Sequence, residues 1–371
     1  MKILVLTIEY PPLGGGASAM IHELNKRYID SGHEVHVVTM SFADLPEKEV
    51  MDEVKINRVK GPRSKKYISY PSEHLYFLFS ARKFLKILLN EHSFDLNHSH
   101  FILPTGLLSR WIFKHYGIPY IITAHGSDIP RFNPDRFTFL HRFSAPVIRS
   151  IVNQSTLVVT PSEYLASLLL KVGGLEKKSE VIANGIDTNY FTPGNKKNLI
   201  LSSGRLLERK GFQYLIKAVT DENLGYEVHI CGDGPLRNEL EELATKSKTK
   251  IIFHGWLDNR SPEYKELLSE ASIYCLLSTN ENASITLLEA LSSGCAVITS
   301  NVSGCPETVG SAGICISPED INMLQMKLKQ LIEDNTYRNE MMDKARERAV
   351  NHFNWTIIAQ SYLERIKSIT G

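Results

Sequence analysis

Apolar residues in this chain come in short unbroken runs rather than in alternation with polar ones. Residues 3–8 begin the pattern, and 34–39, 95–98, 120–123 and 156–160 repeat it, with helical stretches between them. Strands that do not alternate are covered on both faces, as in parallel sheets built from βαβ units. The first unit reads as a strand at 3–8, a Pro/Gly loop, a helix over 17–31 ended by Gly32, and a second strand at 34–39. A polar, turn-rich passage from Ala183 to Asn198 then interrupts the series. The alternation restarts with strands at 199–203, 227–231, 251–254, 273–277 and 296–300, and with a helix over 319–333. Two successive βαβ series predict an α/β protein of two doubly wound, Rossmann-like parallel-sheet domains, each with its ligand loops at the carboxyl ends of its strands. We delimit them as 1–185 and 199–351, joined by a linker at 186–198. The tail, with Phe353, Trp355, Tyr362 and Ile366 at helical spacing, predicts a last helix within 352–371.

Bulk properties narrow the class. A chain of 371 residues can bury two cores. A formal charge of +1 supplies no global field for a nucleic-acid partner. No apolar run approaches the length of a membrane span. The start, Met1 to Leu6, could open a signal peptide, but the run breaks at Glu9 and Pro11 with no small-residue cleavage site. It therefore reads as a buried strand of a cytoplasmic protein. The five cysteines lack zinc-like spacing and mostly sit in apolar runs, so they read as small core residues in a reducing compartment. Lys65, Lys66, Arg82, Lys83 and Lys86 form a modest basic region beside aromatic and leucine residues. The bland reading is a solvated helix face; the sharper one is peripheral contact with the inner face of a membrane or with a lipid-linked acceptor.

The candidate chemistry is concentrated at Glu281 and Glu289, two carboxylates separated by seven residues. Glu281 falls in a polar loop after a strand, and Glu289 about one turn into a helix that runs to Gly294. A helix start offers free N–H groups and a positive dipole end, suited to phosphate. Glu281 could accept hydrogen bonds from sugar hydroxyls, and Glu289 from a ribose diol. Arg205 and Lys210 follow a strand's carboxyl end, where two cations suit a diphosphate. Gly232-Asp233-Gly234-Pro235 ends a strand and starts a helix; its glycines permit either close ligand approach or simply a tight turn. Gly14, Gly16 and Ala19 fit a dinucleotide pattern, but residues 9–13 separate them from the strand, which argues against NAD. His98 and His100 have the spacing of a metal pair without a third ligand, so they read as structural or cleft-lining.

Taken together the motifs resemble the retaining glycosyltransferases of the GT-B architecture, of the type called family 4 or glycosyl transferases group 1. The resemblance covers nearly the whole chain. It rests on Glu281, Glu289 and Ala290 followed by Gly294-Cys295-Ala296-Val297-Ile298, and on Gly14-Gly15-Gly16, His125-Gly126-Ser127-Asp128, Asn184-Gly185-Ile186-Asp187, Gly204-Arg205, Arg209-Lys210-Gly211 and Gly232-Asp233-Gly234-Pro235. It implies two facing domains, with the last helix crossing back onto the first. It implies transfer of a sugar from a nucleoside-diphosphate sugar to an acceptor hydroxyl, with retained configuration and no metal or other cofactor, in synthesis of a surface polysaccharide or glycolipid. By the resemblance, His125, Glu281, Arg205 and Lys210 are catalytic. Gly15, Gly16, Arg205, Lys210, Gly232, Gly234, Leu257, Glu281, Ala283, Ser284, Ile285, Thr286 and Glu289 bind the donor. Asp128 would orient its loop or touch the acceptor, and segments 42–75 and 126–145 would face the glycan or lipid-linked acceptor. The chain departs from the family at Asn282-Ala283-Ser284, where many relatives carry Gly-Phe-Gly; this bears on sugar identity and loop geometry. Two other classes fit the same architecture: a nucleotide-sugar epimerase, and a non-catalytic subunit that binds a sugar nucleotide.

Overall fold

The computed structural model describes residues 1–66, 68–130, 132, 138–175 and 179–370. The chain divides into two compact units. The first is Met1–Ala183 together with the chain's last stretch from Ile358, and the second is Asn184–Ile357.

In the first unit the order is β1 (Lys2–Leu6), α1 (Gly16–Asp30), β2 (Glu34–Met40), β3 (Lys48–Met51), β4 (Val54–Val59), α2 (Pro71–Glu91), β5 (Leu96–His100), α3 (Thr105–Tyr116), β6 (Tyr120–Thr123), α4 (Thr138–Gln154), β7 (Leu157–Thr160), α5 (Glu163–Leu170) and β8 (Glu180–Val181). The strands form one sheet in the order β3-β4-β2-β1-β5-β6-β7-β8. Only the β3–β4 pair among them is antiparallel. Ile3, Leu4, Val5 and Leu6 have no solvent exposure, which is why β1 reads as a solid apolar run.

The pattern alone does not reveal β3, β4 or β8. β3 is an edge strand whose side chains alternate between exposed and half-buried. β4 carries Arg58, which looks like a surface residue but is buried, its guanidinium bonded to Glu49 and to the Pro11 carbonyl at 2.8 Å. β5 runs two residues past the predicted end, because its polar side chains are partnered inside the sheet. Asn97 Nδ2 donates to the Leu4 carbonyl at 2.9 Å, and His98 lies between Tyr28 and Thr123.

The second unit continues with β9 (Lys197–Ser203), α6 (Phe212–Ala218), β10 (Glu227–Cys231), α7 (Arg237–Ala244), β11 (Ile251–Gly255), α8 (Pro262–Glu270), β12 (Ala271–Leu276), α9 (Ile285–Ser292), β13 (Ala296–Ser300), α10 (Cys305–Val309), β14 (Gly313–Ile316), α11 (Ile321–Glu333) and α12 (Asn335–Arg348). α13 (Trp355–Thr370) starts in this unit and ends in the first. The sheet is parallel throughout, in the order β11-β10-β9-β12-β13-β14. Chain direction across the sheet reverses between β9 and β12, and ligands of open α/β sheets bind beyond the carboxyl ends of strands at such a point.

The turn-rich segment 186–198 is held firmly in the second unit. Ile186, Thr188 and Phe191 are buried, and Arg346 donates to the carbonyls of Thr188, Phe191 and Ser292 at 2.7 to 3.0 Å. Cys231, Cys275, Cys295 and Cys305 are buried thiols in this unit's core region, and Cys315 is half-buried. Among the described residues no helix is long and apolar enough to cross a membrane.

Gly232 makes a specific demand on the fold. Its φ is +152°, and a Cβ there would lie 1.9 Å from the Gly204 carbonyl oxygen, while one on Gly234 would lie 2.5 Å from that of Leu206. The Gly232–Gly234 turn thus packs backbone to backbone against the loop leaving β9. Gly232→Ala is expected to lower stability by about 3 kcal/mol or more, since backbone cannot yield as a side-chain tip can. Urea unfolding of the purified variant checks this.

Candidate active site

Two loops leave the switch point of the second sheet side by side. The β9 loop carries Gly204, half-buried Arg205 and a short turn, Glu208–Lys210. The β12 loop carries Ser278 to Ser284 and leads into α9. Thr279 N donates to the Arg209 carbonyl at 2.9 Å, which ties the two together. Across this junction Lys210 Nζ donates to Glu281 Oε2, and Ser278 Oγ donates to the same oxygen at 3.4 Å. The paired side chains are only 15% and 14% exposed, so the attraction is poorly screened.

α9 begins directly after this pair. Ser284 is its N-cap residue but makes no side-chain cap; Ser284 Oγ instead pairs with Thr286 Oγ1 at 3.1 Å. Its first turn has no acidic residue, so the positive end of the helix dipole meets no carboxylate there. The loop, which lacks the aromatic residue of many relatives, is braced by backbone contacts. Gly304 N donates to the Glu281 carbonyl at 2.9 Å, and a Cβ on Gly304 would lie 2.0 Å from the Asn282 carbonyl oxygen. Asn184 Nδ2 donates to the Ala283 carbonyl at 3.0 Å, anchoring the same loop from the start of the unit. Lys210, Glu281 and the helix start, with Ala283, Ser284, Ile285 and Thr286, therefore lie side by side at the meeting of the two loops.

Glu289 belongs to a separate network beneath it. Its carboxylate is 1% exposed and accepts from Tyr264 Oη at 2.8 Å and from Asn259 Nδ2 at 3.4 Å. Tyr264 Oη also meets Ser203 Oγ at 2.8 Å, and Ser203 Oγ meets Tyr274 Oη at 2.9 Å. Burial pushes the Glu289 carboxyl up to about 7, against the smaller opposing effect of the Tyr264 and Asn259 hydrogen bonds. Leu257 is half-buried in the loop after β11, two residues before Asn259, so that loop and Glu289 come together. Gly232 and Gly234 make close approaches to protein backbone, as a tight turn requires. Tyr264, Tyr274, Ser203 and Asn259 had no motif to announce them. Ser203 and Tyr274 stood in predicted strands, but nothing along the chain ties a tyrosine of α8 to a glutamate of α9.

In the first unit the loops at the carboxyl ends of β1 and β6 carry the remaining candidates. Gly15 is the N-cap of α1 and Gly16 its first residue; no side chain caps this helix and no acidic residue lies in its first turn. His125 follows β6, and Asp128 holds its loop by accepting from the amides of Ile102, His125 and Gly126 at 2.6, 3.1 and 2.9 Å. Asp128 thus braces this loop.

His125 Nε2 lies 3.2 Å from His100 Nδ1, and His100 stacks on His98 with ring centroids 4.1 Å apart. Burial lowers the His98 and His125 rings to about 3 and His100 well below the usual imidazole range, so all three are neutral at physiological pH. His100 Nε2 is buried with no hydrogen-bond partner. A bare lone pair is tolerated there better than a bare N–H, which assigns the His100 proton to Nδ1, donating to His125 Nε2. Among the described residues no group of three or more His, Cys, Asp or Glu side chains could hold a metal. Of segments 42–75 and 126–145, residues 67, 131 and 133–137 lie outside the described residues.

Two Rossmann-like units, each built on a largely parallel sheet, are the two halves of the GT-B architecture. Residues 14–190 match the model of glycosyltransferase family 4, and residues 189–348 that of glycosyl transferases group 1. The chain belongs to this family of glycosyltransferases and is an enzyme of that class. An uncharacterized glycosyltransferase of Methanocaldococcus jannaschii is 27% identical, with 97% of this chain and 96% of the relative covered. Sucrose-phosphate synthase from Thermosynechococcus elongatus superimposes with a TM-score of 0.83 at 18% identity, covering 100% of this chain and 99% of its own. Anabaena HepE, solved in complex with UDP, superimposes with a TM-score of 0.80 at 19% identity, covering 99% of this chain and 100% of its own.

Proposed function

We propose that the enzyme transfers a hexose from a nucleoside-diphosphate sugar to an acceptor hydroxyl of a glycan or lipid-linked glycan, with retained anomeric configuration. The observation that carries the reading is the Lys210–Glu281 pair set at the uncapped start of α9. A diphosphate bound there takes the Lys210 ammonium and, with Arg205 nearby in the chain, has its charge neutralised as the sugar leaves. Lys210 then exchanges its bond with Glu281 for one with phosphate, which frees Glu281 to accept from sugar hydroxyls. Glu289 accepts from the ribose diol. From the first unit the reading enlists the Gly15 and Gly16 amides for phosphate and neutral His125 for the sugar. With no carboxylate assigned as nucleophile, retention is read as same-face substitution, the leaving phosphate taking the acceptor's proton. No metal is required on this reading, since the cations and the helix end carry the charge, and the enzyme works in the cytoplasm.

The test is a thermal-shift panel of UDP-, GDP- and ADP-sugars run with and without EDTA. One nucleotide class is expected to raise the melting temperature, unaffected by EDTA, and slow hydrolysis of that donor should release the sugar with its original configuration by NMR. No shift with any donor, or an inverted product, overturns the proposal. Release of an epimerised sugar without acceptor would favour the epimerase.

A further inference from the structure

Helix α2 carries an exposed face of unusual composition. At about 100° per residue, Leu75, Tyr76, Phe79, Arg82, Lys83, Lys86 and Ile87 fall on one side. Leu75, Tyr76, Phe79 and Ile87 are 56%, 50%, 68% and 54% exposed, while Phe77, Ala81, Leu85 and Leu88 bury the opposite side. Arg82, Lys83 and Lys86 are exposed among the apolar residues, the Arg82 guanidinium lying over the Trp111 ring at 5.1 Å from its centroid. Among the described residues of α2 no acid lies between these cations, and Glu49 and Glu91 line the groove beside Ile87 together with Lys48 and Lys55. Glu73 is buried, accepting from Ser64 and Tyr70, and Glu91 stands at the helix end. The basic region legible in the sequence is in fact two. Lys66 lies in the loop before α2, where its carbonyl accepts from Gly14 N at 3.1 Å, and the other three cations lie on the helix itself.

We propose that this face of α2 rests on an anionic lipid bilayer. Large apolar side chains left in water on one helix need an apolar partner, and three cations among them need a negative one. An anionic membrane surface meets both needs at once. The apolar side chains enter the headgroup boundary, Tyr76 and Phe79 lie at interfacial depth, and the long Lys and Arg stems lie along apolar surface with their heads toward phosphate. A protein partner would need an acidic apolar groove of matching length, and a second copy would bring cation against cation.

The experiment is co-sedimentation of the full chain with vesicles of phosphatidylglycerol and phosphatidylcholine, against phosphatidylcholine alone. Binding to the anionic vesicles is expected, weakened by salt and absent from the neutral ones. The double variant Lys83→Glu/Lys86→Glu should lose about tenfold or more in affinity. Phe79→Ser should weaken binding while leaving the charge, which separates insertion from simple ion pairing. All these positions are exposed, so both variants should keep the wild-type melting temperature. Equal binding to neutral vesicles, no vesicle binding at all, or loss of the exposed surface in a salt-resistant dimer would each overturn the proposal. The readout uses no sugar donor, so it stands or falls separately from the transferase reading.

Discussion

Replacing Lys210 with alanine is expected to cut turnover about a hundredfold or more, with a much smaller change in the donor's KM. Lys210 sits on the β9 loop with its ammonium on Glu281, and both side chains are largely shielded. In the proposed reaction the charge on the diphosphate grows as the bond to the sugar breaks, so a fixed cation there acts mainly on the transition state. Glu281→Gln keeps the shape of the partner but removes its charge. It should lower activity less than Glu281→Ala, since the amide still accepts from sugar hydroxyls through its oxygen. Initial rates at saturating and limiting donor separate these effects. Full activity in Lys210→Ala would remove the diphosphate-gripping role altogether. The melting temperature of Lys210→Ala is a needed control, because the variant takes the ion pair from Glu281 and leaves it the weaker hydrogen bond from Ser278.

The second large effect concerns stability and pH. Burial moves Glu289 from its usual 4.5 to about 7 in the folded chain. Below pH 4.5 the carboxyl is neutral in both states and burial costs no charge. Between pH 4.5 and about 7 the unfolded chain releases its proton while the folded one keeps it, so stability falls as pH rises; above that the cost is constant. The shift corresponds to about 3 kcal/mol. Glu289→Gln is always neutral and can still accept from Tyr264, with Asn259 turning its amide to suit. It should be more stable than the parent at pH 8 by up to about 3 kcal/mol, with the difference vanishing near pH 4.5. Urea unfolding at pH 4.5, 6 and 8 measures it, and parallel pH dependences for the two proteins would refute the assignment. On the proposed reading of Glu289 as the ribose-diol acceptor, the same substitution should weaken donor binding, because a carboxylate accepts from a diol more strongly than an amide does.

Much of the architecture was legible in the chain. β6, β10 and β13 have the bounds expected from their apolar runs, since a strand buried on both faces must be apolar on both. β3 and β14 escaped because they lie at or near sheet edges, where half-buried side chains relax that requirement. β4 escaped because Arg58 is buried only by virtue of a carboxylate and a carbonyl that come from elsewhere.

The candidate site divides in the same way. Glu281, Lys210 and the start of α9 were visible as residue types at fixed spacings, because a phosphate needs cations and free amides wherever it binds. Their meeting was not visible. Lys210 and Glu281 are 71 residues apart and come together only because β9 and β12 are neighbours in the sheet. Local chemistry is written in short stretches, since turns, caps and burial patterns depend on adjacent residues. Which stretches touch is set by strand order, a property of the whole packed sheet. It is that order which placed Tyr264 on Glu289, His100 on His125 and the Gly304 turn under the Glu281 loop.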